Sequence, residues 1–219
     1  MADNISVENK MTIGAYTGWY LDILGELDSA LEIYTAVGKL EEEEIAGSDD
    51  DDRKSQILSV LSANEAQRSN LIAKKGDLDE SLAISVRALE IAEQSDVHFR
   101  IMARNCSMAL ALFRKAKYDE AWGHAEKAIE MHKDNNWNRR YPHPYNTKGF
   151  ICKKLMIRGE MPKLAISHAT TTIELLLSEP SPWFQAIGME YWAKGLATLA
   201  VGSDLDSVAE DYELSLIHI

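Results

Sequence analysis

Apolar positions recur along this chain at steps of three and four. Leu78, Leu82, Ser85, Leu89 and Ala92 form one such series, and Tyr118, Ala121, Ala125, Ala128 and Ile129 form another. That period predicts amphipathic helices with one buried stripe. Strand-like alternation with β-branched residues is nowhere sustained. Short breaks fall at Gly25-Glu26, Gly76-Asp77, Ala116-Lys117, Gly159-Glu160 and Gly202-Ser203, as expected of helix C-termini that enter tight turns. After the first, the breaks are spaced by 40, 43 and 43 residues, a period that predicts a helical solenoid. The fold class that follows is all-α, with about five helix pairs.

Alignment on the breaks sharpens the repeat. Seven residues before each stand Gly18, Ser69, Ala109, Cys152 and Gly195, all small, as needed where two helices cross closely. Four residues before stand Leu21, Ile72, Leu112 and Leu155, with Thr198 the exception. Beyond the break come Ala30, Ser81 and Ala121 at one aligned place, and Val37, Ala88, Ala128 and Thr171 further on.

These residues resemble the tetratricopeptide repeat (TPR). The likeness is clearest in Gly76-Asp77-Leu78-Asp79-Glu80-Ser81-Leu82 with Arg87-Ala88-Leu89, and in Lys117-Tyr118-Asp119-Glu120-Ala121 with Glu126-Lys127-Ala128-Ile129. It extends, with falling quality, over about residues 11–213, and implies a right-handed α-α superhelix whose first helices line a concave face. The repeats exceed the usual 34 residues, the aromatic early in the first helix is missing, and Leu164 stands where Ala is expected. Such elongated repeats look like the helical regions attached to signalling ATPases, nucleotide cyclases and transcription activators.

Charge adds two features. The net charge is −12, of which Glu41 to Glu44 and Asp49 to Asp52 supply eight. Like charges repel, so residues 41–52 are expected to be a solvated insertion that frays the preceding helix. Asp134 to Tyr145 interrupts the pattern with Trp137, Arg139, Arg140 and Tyr141, residue types enriched in binding hot spots, beside Pro142 and Pro144. This connector is a secondary contact candidate. At the ends, residues 1–10 are expected to be disordered. Leu214 to Ile219 are what CTGTCTCTTATACACATC encodes, the mosaic end used in preparing sequencing libraries. Residues 214–219 are therefore expected to be an adapter scar that truncates the last helix pair, leaving an apolar end at Trp192 and Leu199 for self-association.

Enzyme chemistry has no foothold in the sequence. No phosphate loop, GxSxG elbow or HExxH occurs, and no two histidines stand four residues apart. Cys106 and Cys152 stand alone, so neither disulfides nor zinc are suggested, and no cofactor is expected. No run of eighteen apolar residues spans a membrane, Met1 to Met11 is too polar for a secretory signal, and the acidic balance disfavours nucleic acid. A cytoplasmic protein is expected. What remains is a groove. The first helices end in Lys74-Lys75, Arg114-Lys115 and Lys153-Lys154, and a stacked row of Asn70, Lys74, Arg114, Lys153 and Lys154 would favour an acidic peptide or protein. The same cations also suit helix C-termini through the dipole. The family's carboxylate clamp does not carry over, because Ala66, Ser107, Asn146 and Phe150 occupy all its places except Asn70. Two functions follow: a non-catalytic scaffold for protein or peptide binding, or a sensor segment of a larger signalling ATPase, cyclase or activator.

Overall fold

The computed structural model describes residues 6–134, 162–178, 184–202 and 205–217. Within these the chain is all-α. Its helices are α1 (Val7–Leu24), α2 (Leu27–Gly47), α3 (Asp51–Lys74), α4 (Leu78–Ser95), α5 (His98–Arg114), α6 (Tyr118–Asp134), α7 (Pro162–Leu177), α8 (Phe184–Ala200) and α9 (Leu205–Ile217). Two compact units divide them after Lys117.

In the first unit, three turns share one geometry. A left-handed residue closes each helix end: Gly25 at φ 82° directly after α1, and Gly76 at 98° and Ala116 at 58° one residue beyond the caps Lys75 and Lys115. The next N–H then reaches back five residues, from Glu26 to Leu21 O at 2.9 Å, Asp77 to Ile72 O at 3.2 Å and Lys117 to Leu112 O at 3.0 Å. This Schellman closure satisfies carbonyls that the helix end would leave bare. The following helix is capped in turn where a side chain permits, as when Asp77 accepts from the N–H of Glu80 at 2.9 Å.

Each antiparallel pair in this unit closes on the small residues found by alignment. A methyl at Gly18 would lie 2.8 Å from the Tyr34 ring. Ser69 is buried, and its hydroxyl meets Ser81 O at 2.8 Å, Ser81 Oγ at 3.0 Å and Ser85 Oγ at 2.7 Å. These short polar side chains let α3 and α4 approach while satisfying each other. Around the first crossing Ala30, Tyr34 and Leu71 form a buried cluster with Leu21, Leu27 and Leu31 against it.

The run at 41–52 is not a loop. Helix α2 continues to Gly47 and α3 begins at Asp51, with Ser48 to Asp50 between them. Its acids have distinct duties: Asp50 caps α3 by accepting from Asp52 N at 2.9 Å, and Asp51 and Asp52 sit in the first turn where the helix dipole favours them. Glu42 pairs with Arg87 at 2.5 Å, Glu44 pairs with Arg53, and Glu41 is buried. Helix ends and cross-helix cations offset the repulsion that a count of like charges anticipates. At the N-terminus Ser6 caps α1, so residues 7–10 are helical, against the expectation for 1–10.

In the second unit α7 packs on α8 through Ala165 and Ala197, with Trp122, Leu164, Ile166 and Leu196 around them. The buried small residue is thus Ala165, one place beyond Leu164, and Thr172 is buried in place of Thr171. The aligned repeat is out of register there by one residue. Helices α8 and α9 cross at Gly195, where a methyl would lie 3.3 Å from Asp211 Cβ, and Lys194 pairs with Asp211 at 2.6 Å. Helix α9 takes in residues 214–217, and Ser215 is buried with its hydroxyl donating to Gly188 O at 2.9 Å. Residues 218 and 219 lie outside the described residues.

Ala116 carries a Cβ in a conformation that costs an L-residue about 1 kcal/mol or more. Ala116→Gly is expected to stabilise the chain by about 1 kcal/mol, and Gly76→Ala to destabilise it by a similar amount, as read from urea midpoints.

Candidate functional site

The cations proposed for the groove fall at the ends of α3 and α5, and the structure gives them partners. Lys74 Nζ reaches both oxygens of Asp22 on α1, at 2.6 and 2.8 Å. Arg114 Nη2 donates to Asn70 Oδ1 at 3.0 Å. The second cation of each pair turns to the second helix of the preceding repeat: Lys75 to Asp28, and Lys115 to Asp79 at 2.6 Å. Each dibasic end therefore grips the repeat before it, once on the first helix and once on the second. Burial holds the Arg114 guanidinium below its ordinary pKa. Asn70, Lys74 and Arg114 are brought together in this ladder. Lys153 and Lys154, and the connector residues Trp137, Arg139, Arg140 and Tyr141, lie outside the described residues.

A cleft opens elsewhere in the first unit, toward the N-terminal halves of α1 and α3. Its volume is about 810 Å³. Helix α1 contributes Tyr16 and Trp19, α2 the floor of Tyr34, Val37 and Glu41, α3 Gln56, Val60 and Gln67, and α5 Arg100. Tyr16 and Trp19 are 70% and 53% exposed, unusual for large aromatics on a helix facing a cleft. None of Asn70, Lys74 or Arg114 lines it.

The floor is tied down by polar bonds. Tyr34 Oη donates to Ala15 O at 3.4 Å, joining α2 to α1. Asn64 Nδ2 donates to Tyr34 O and to Glu41 Oε2, both at 3.0 Å, joining α3 to α2. Gly38 makes room for this amide, since a methyl there would stand 3.2 Å from it. Glu41 is 1% exposed. Burial drives its carboxyl pKa up to about 7, with Glu65 and Glu42 adding to the rise and the Asn64 bond opposing it.

Two arginines stand one turn apart on α5. Arg100 lines the cleft, donates from Nε to Ser59 Oγ at 3.0 Å, and carries no ion pair among the described residues. Arg104 is buried behind it and donates from Nη1 to Ser62 O at 2.9 Å. Burial and the neighbouring Arg100 lower the Arg104 pKa to about 10. Arg53, at the other rim, is bound to Glu44 and to Glu8 at 3.2 Å. The cleft thus offers aromatic walls, amide side chains, one cation without an ion pair and a carboxyl that is largely protonated below neutral pH. No constellation of nucleophile and base is assembled in it. Among the described residues no group of three metal-ligating side chains converges, and no helix is long and apolar enough to cross a membrane.

No family model matches the sequence, and no curated protein does. Solved structures do match. Over 95% of this chain and 94% of the other, it superposes on a kinesin light chain protein of Podosopora anserina with nearly identical TPR-like repeats, at 10% identity and a TM-score of 0.67. The fold is TPR-like. A signal-transduction ATPase with a TPR sensor from Pyrococcus horikoshii is similar over 97% of this chain and 30% of its own, at 14% identity and a TM-score of 0.67. The Rap conjugation regulator of plasmid pLS20, solved with its Phr* peptide, is similar over 98% of this chain and 56% of its own, at 11% identity and a TM-score of 0.62. At these identities the likeness establishes the fold alone.

Sequence reasoning missed Tyr16, Trp19, Glu41 and Arg100. For the aromatics a signal existed: α1 buries Met11 and Gly18 among its residues, yet carries far more large apolar side chains than that contact needs. Glu41 supplies a test of the floor. Its folded pKa lies above the unfolded value, so the native state holds the extra proton between about pH 4.5 and 7. Stability therefore falls as pH rises through that window and levels off above it. Glu41→Gln, which keeps an oxygen for Asn64, is expected to remove this decline. The comparison is urea unfolding of both proteins from pH 5 to 8, with the variant gaining about 2–3 kcal/mol relative to the parent at the alkaline end.

Proposed function

We propose that this chain is a non-catalytic TPR-like scaffold that binds a peptide or partner helix in the cleft between α1 and α3. The observation that carries this reading is the pairing of two exposed aromatics, Tyr16 and Trp19, with a cleft of about 810 Å³ on a rigid polar floor. Aromatic side chains supply large contact area at low entropic cost, and the amides of Gln56 and Gln67 suit the main chain of an extended peptide. The Rap regulator with its Phr* peptide supports such use of the fold. An acidic group in the partner would meet Arg100 in this cleft, since Arg53 on the other rim already holds Glu8 and Glu44 of the chain itself. Trp192 and Leu199 on α8 are each 48% exposed and remain a second apolar surface for association.

The likeness to the TPR-sensor ATPase favours one further reading, in which this helical region serves as the sensor segment of a larger signalling protein. Both readings place the ligand in the same cleft. Selection from a random peptide library on the purified chain tests it. Peptides with an apolar anchor are expected, and Trp19→Ala or Arg100→Ala should weaken their binding at least about tenfold by fluorescence polarisation, the loss typical of one hot-spot residue. Selected peptides that ignore both substitutions but are released by Lys74→Glu with Arg114→Glu would move the site to the ladder at the helix ends.

A further inference from the structure

The outer face of α1 is patterned beyond what the cleft requires. Asn9, Ile13, Tyr16, Tyr20 and Ile23 follow one another at steps of four, three, four and three. That is a heptad seam, the 3.5-residue repeat that keeps one stripe of a helix facing a partner helix. The inner face of the same helix is already used, by Gly14, Gly18 and Leu21 against α2. The seam is left outside: Ile13 is 55% exposed, Tyr16 70%, Tyr20 58% and Ile23 60%, with Leu24 at 57% beside it. A helix that satisfied only α2 would carry polar residues there.

The seam is also complementary to itself. Laid antiparallel on a second α1, it places Ile13 against Ile23 of the second copy and Tyr16 against Tyr20, and the two-fold repeats both contacts. Charge supports the same direction. Lys10 near the start of the helix and Glu26 just past its end are exposed and carry no ion pair among the described residues. Antiparallel docking brings Lys10 of each copy toward Glu26 of the other, whereas parallel docking sets like against like. Helix dipoles oppose in the antiparallel arrangement as well. Trp19 lies off the seam on the cleft side and is not consumed by the contact.

We propose that α1 is an isologous dimerisation helix, pairing two copies of this chain antiparallel through Ile13, Tyr16, Tyr20 and Ile23. This goes beyond the peptide-binding reading and does not depend on it, though the two share Tyr16, which lines the cleft and stands in the seam. The parent chain is expected to show a monomer–dimer equilibrium by sedimentation. Ile13→Glu with Tyr20→Glu, both at exposed positions, is expected to weaken it at least about 100-fold, by burying two charges per copy, while the circular dichroism of the monomer is unchanged. Trp192→Glu with Leu199→Glu should leave the dimer intact. Direction is read by oxidation of cysteine variants in a Cys152→Ser background: a mixture of Ile13→Cys and Ile23→Cys chains should cross-link across the pair, and Ile13→Cys alone should not. A parent chain that stays monomeric at about 0.1 mM, a concentration well above that needed for a specific interface, overturns the proposal. So does a dimer that survives the α1 substitutions but is lost on changing Trp192 and Leu199. Self-linking of Ile13→Cys without the mixed product overturns the antiparallel arrangement.

Discussion

The architecture rests on how closely paired helices can cross. Among the described residues, α1, α3 and α8 each offer a place at which a larger side chain would keep the partner helix away, and the chain fills it with Gly18, Ser69 and Gly195. At Gly18 the consequence is direct, since the Tyr34 ring takes the space a methyl would need. Because that ring is drawn in, its hydroxyl reaches the backbone of α1 and its carbonyl accepts from Asn64 of α3. The close crossing, the floor of the cleft and the link to the next repeat are therefore one arrangement. At Ser69 the same closeness is reached with hydroxyls, which must then satisfy each other, as the contacts to Ser81 and Ser85 do.

Stacking of the repeats uses a different device. The dibasic ends of α3 and α5 could have faced a ligand, but they reach backward to Asp22 and Asp28, and to Asn70 and Asp79. Exposed ion pairs of this kind contribute little singly, about 0–1 kcal/mol. Their effect lies in direction, because each cation can reach its acid only when the next repeat sits in one register. The opposite halves of α1 and α3 leave room between them, and the side chains there are aromatic or amide, which is where we propose that a peptide binds.

The turns were legible because they rest on local chemistry. A left-handed residue at 25, 76 and 116 leaves its mark in the sequence as glycine, or as a break in periodicity where Ala116 replaces it. The small crossing residues were legible for a similar reason, as recurrence at a fixed distance from the turn. Where that distance changes by one, as at Ala165, a template applied from the turn picks Leu164 instead. The acidic run was misread because repulsion was counted before partners could be known. Glu41 is held by Asn64, 23 residues on, and Glu42 by Arg87, 45 residues on. Those distances belong to tertiary structure. The cleft was illegible on the same ground, since its walls come from α1, α2, α3 and α5 and no single helix shows it.

The first helix poses the remaining energetic question. Among its 18 residues Met11 and Gly18 are the buried ones, and Gly14 and Gly18 both lower helix propensity by about 1 kcal/mol relative to Ala. Most helical stability in proteins comes from covering an apolar face. On its inner side α1 buries small residues, which gives closeness but little apolar area. The large apolar side chains that could supply that area, Ile13, Tyr16, Tyr20, Ile23 and Leu24, are all on the outside. Each fully covered residue of this type is worth about 1.5–3 kcal/mol. The inner face therefore fixes where α1 sits, through Tyr34 and the glycines, while the larger part of its capacity for hydrophobic stabilisation is left to whatever meets the outer face. Tyr16 stands in both places, lining the cleft and belonging to the outer stripe, so a partner on that stripe would touch one wall of the cleft.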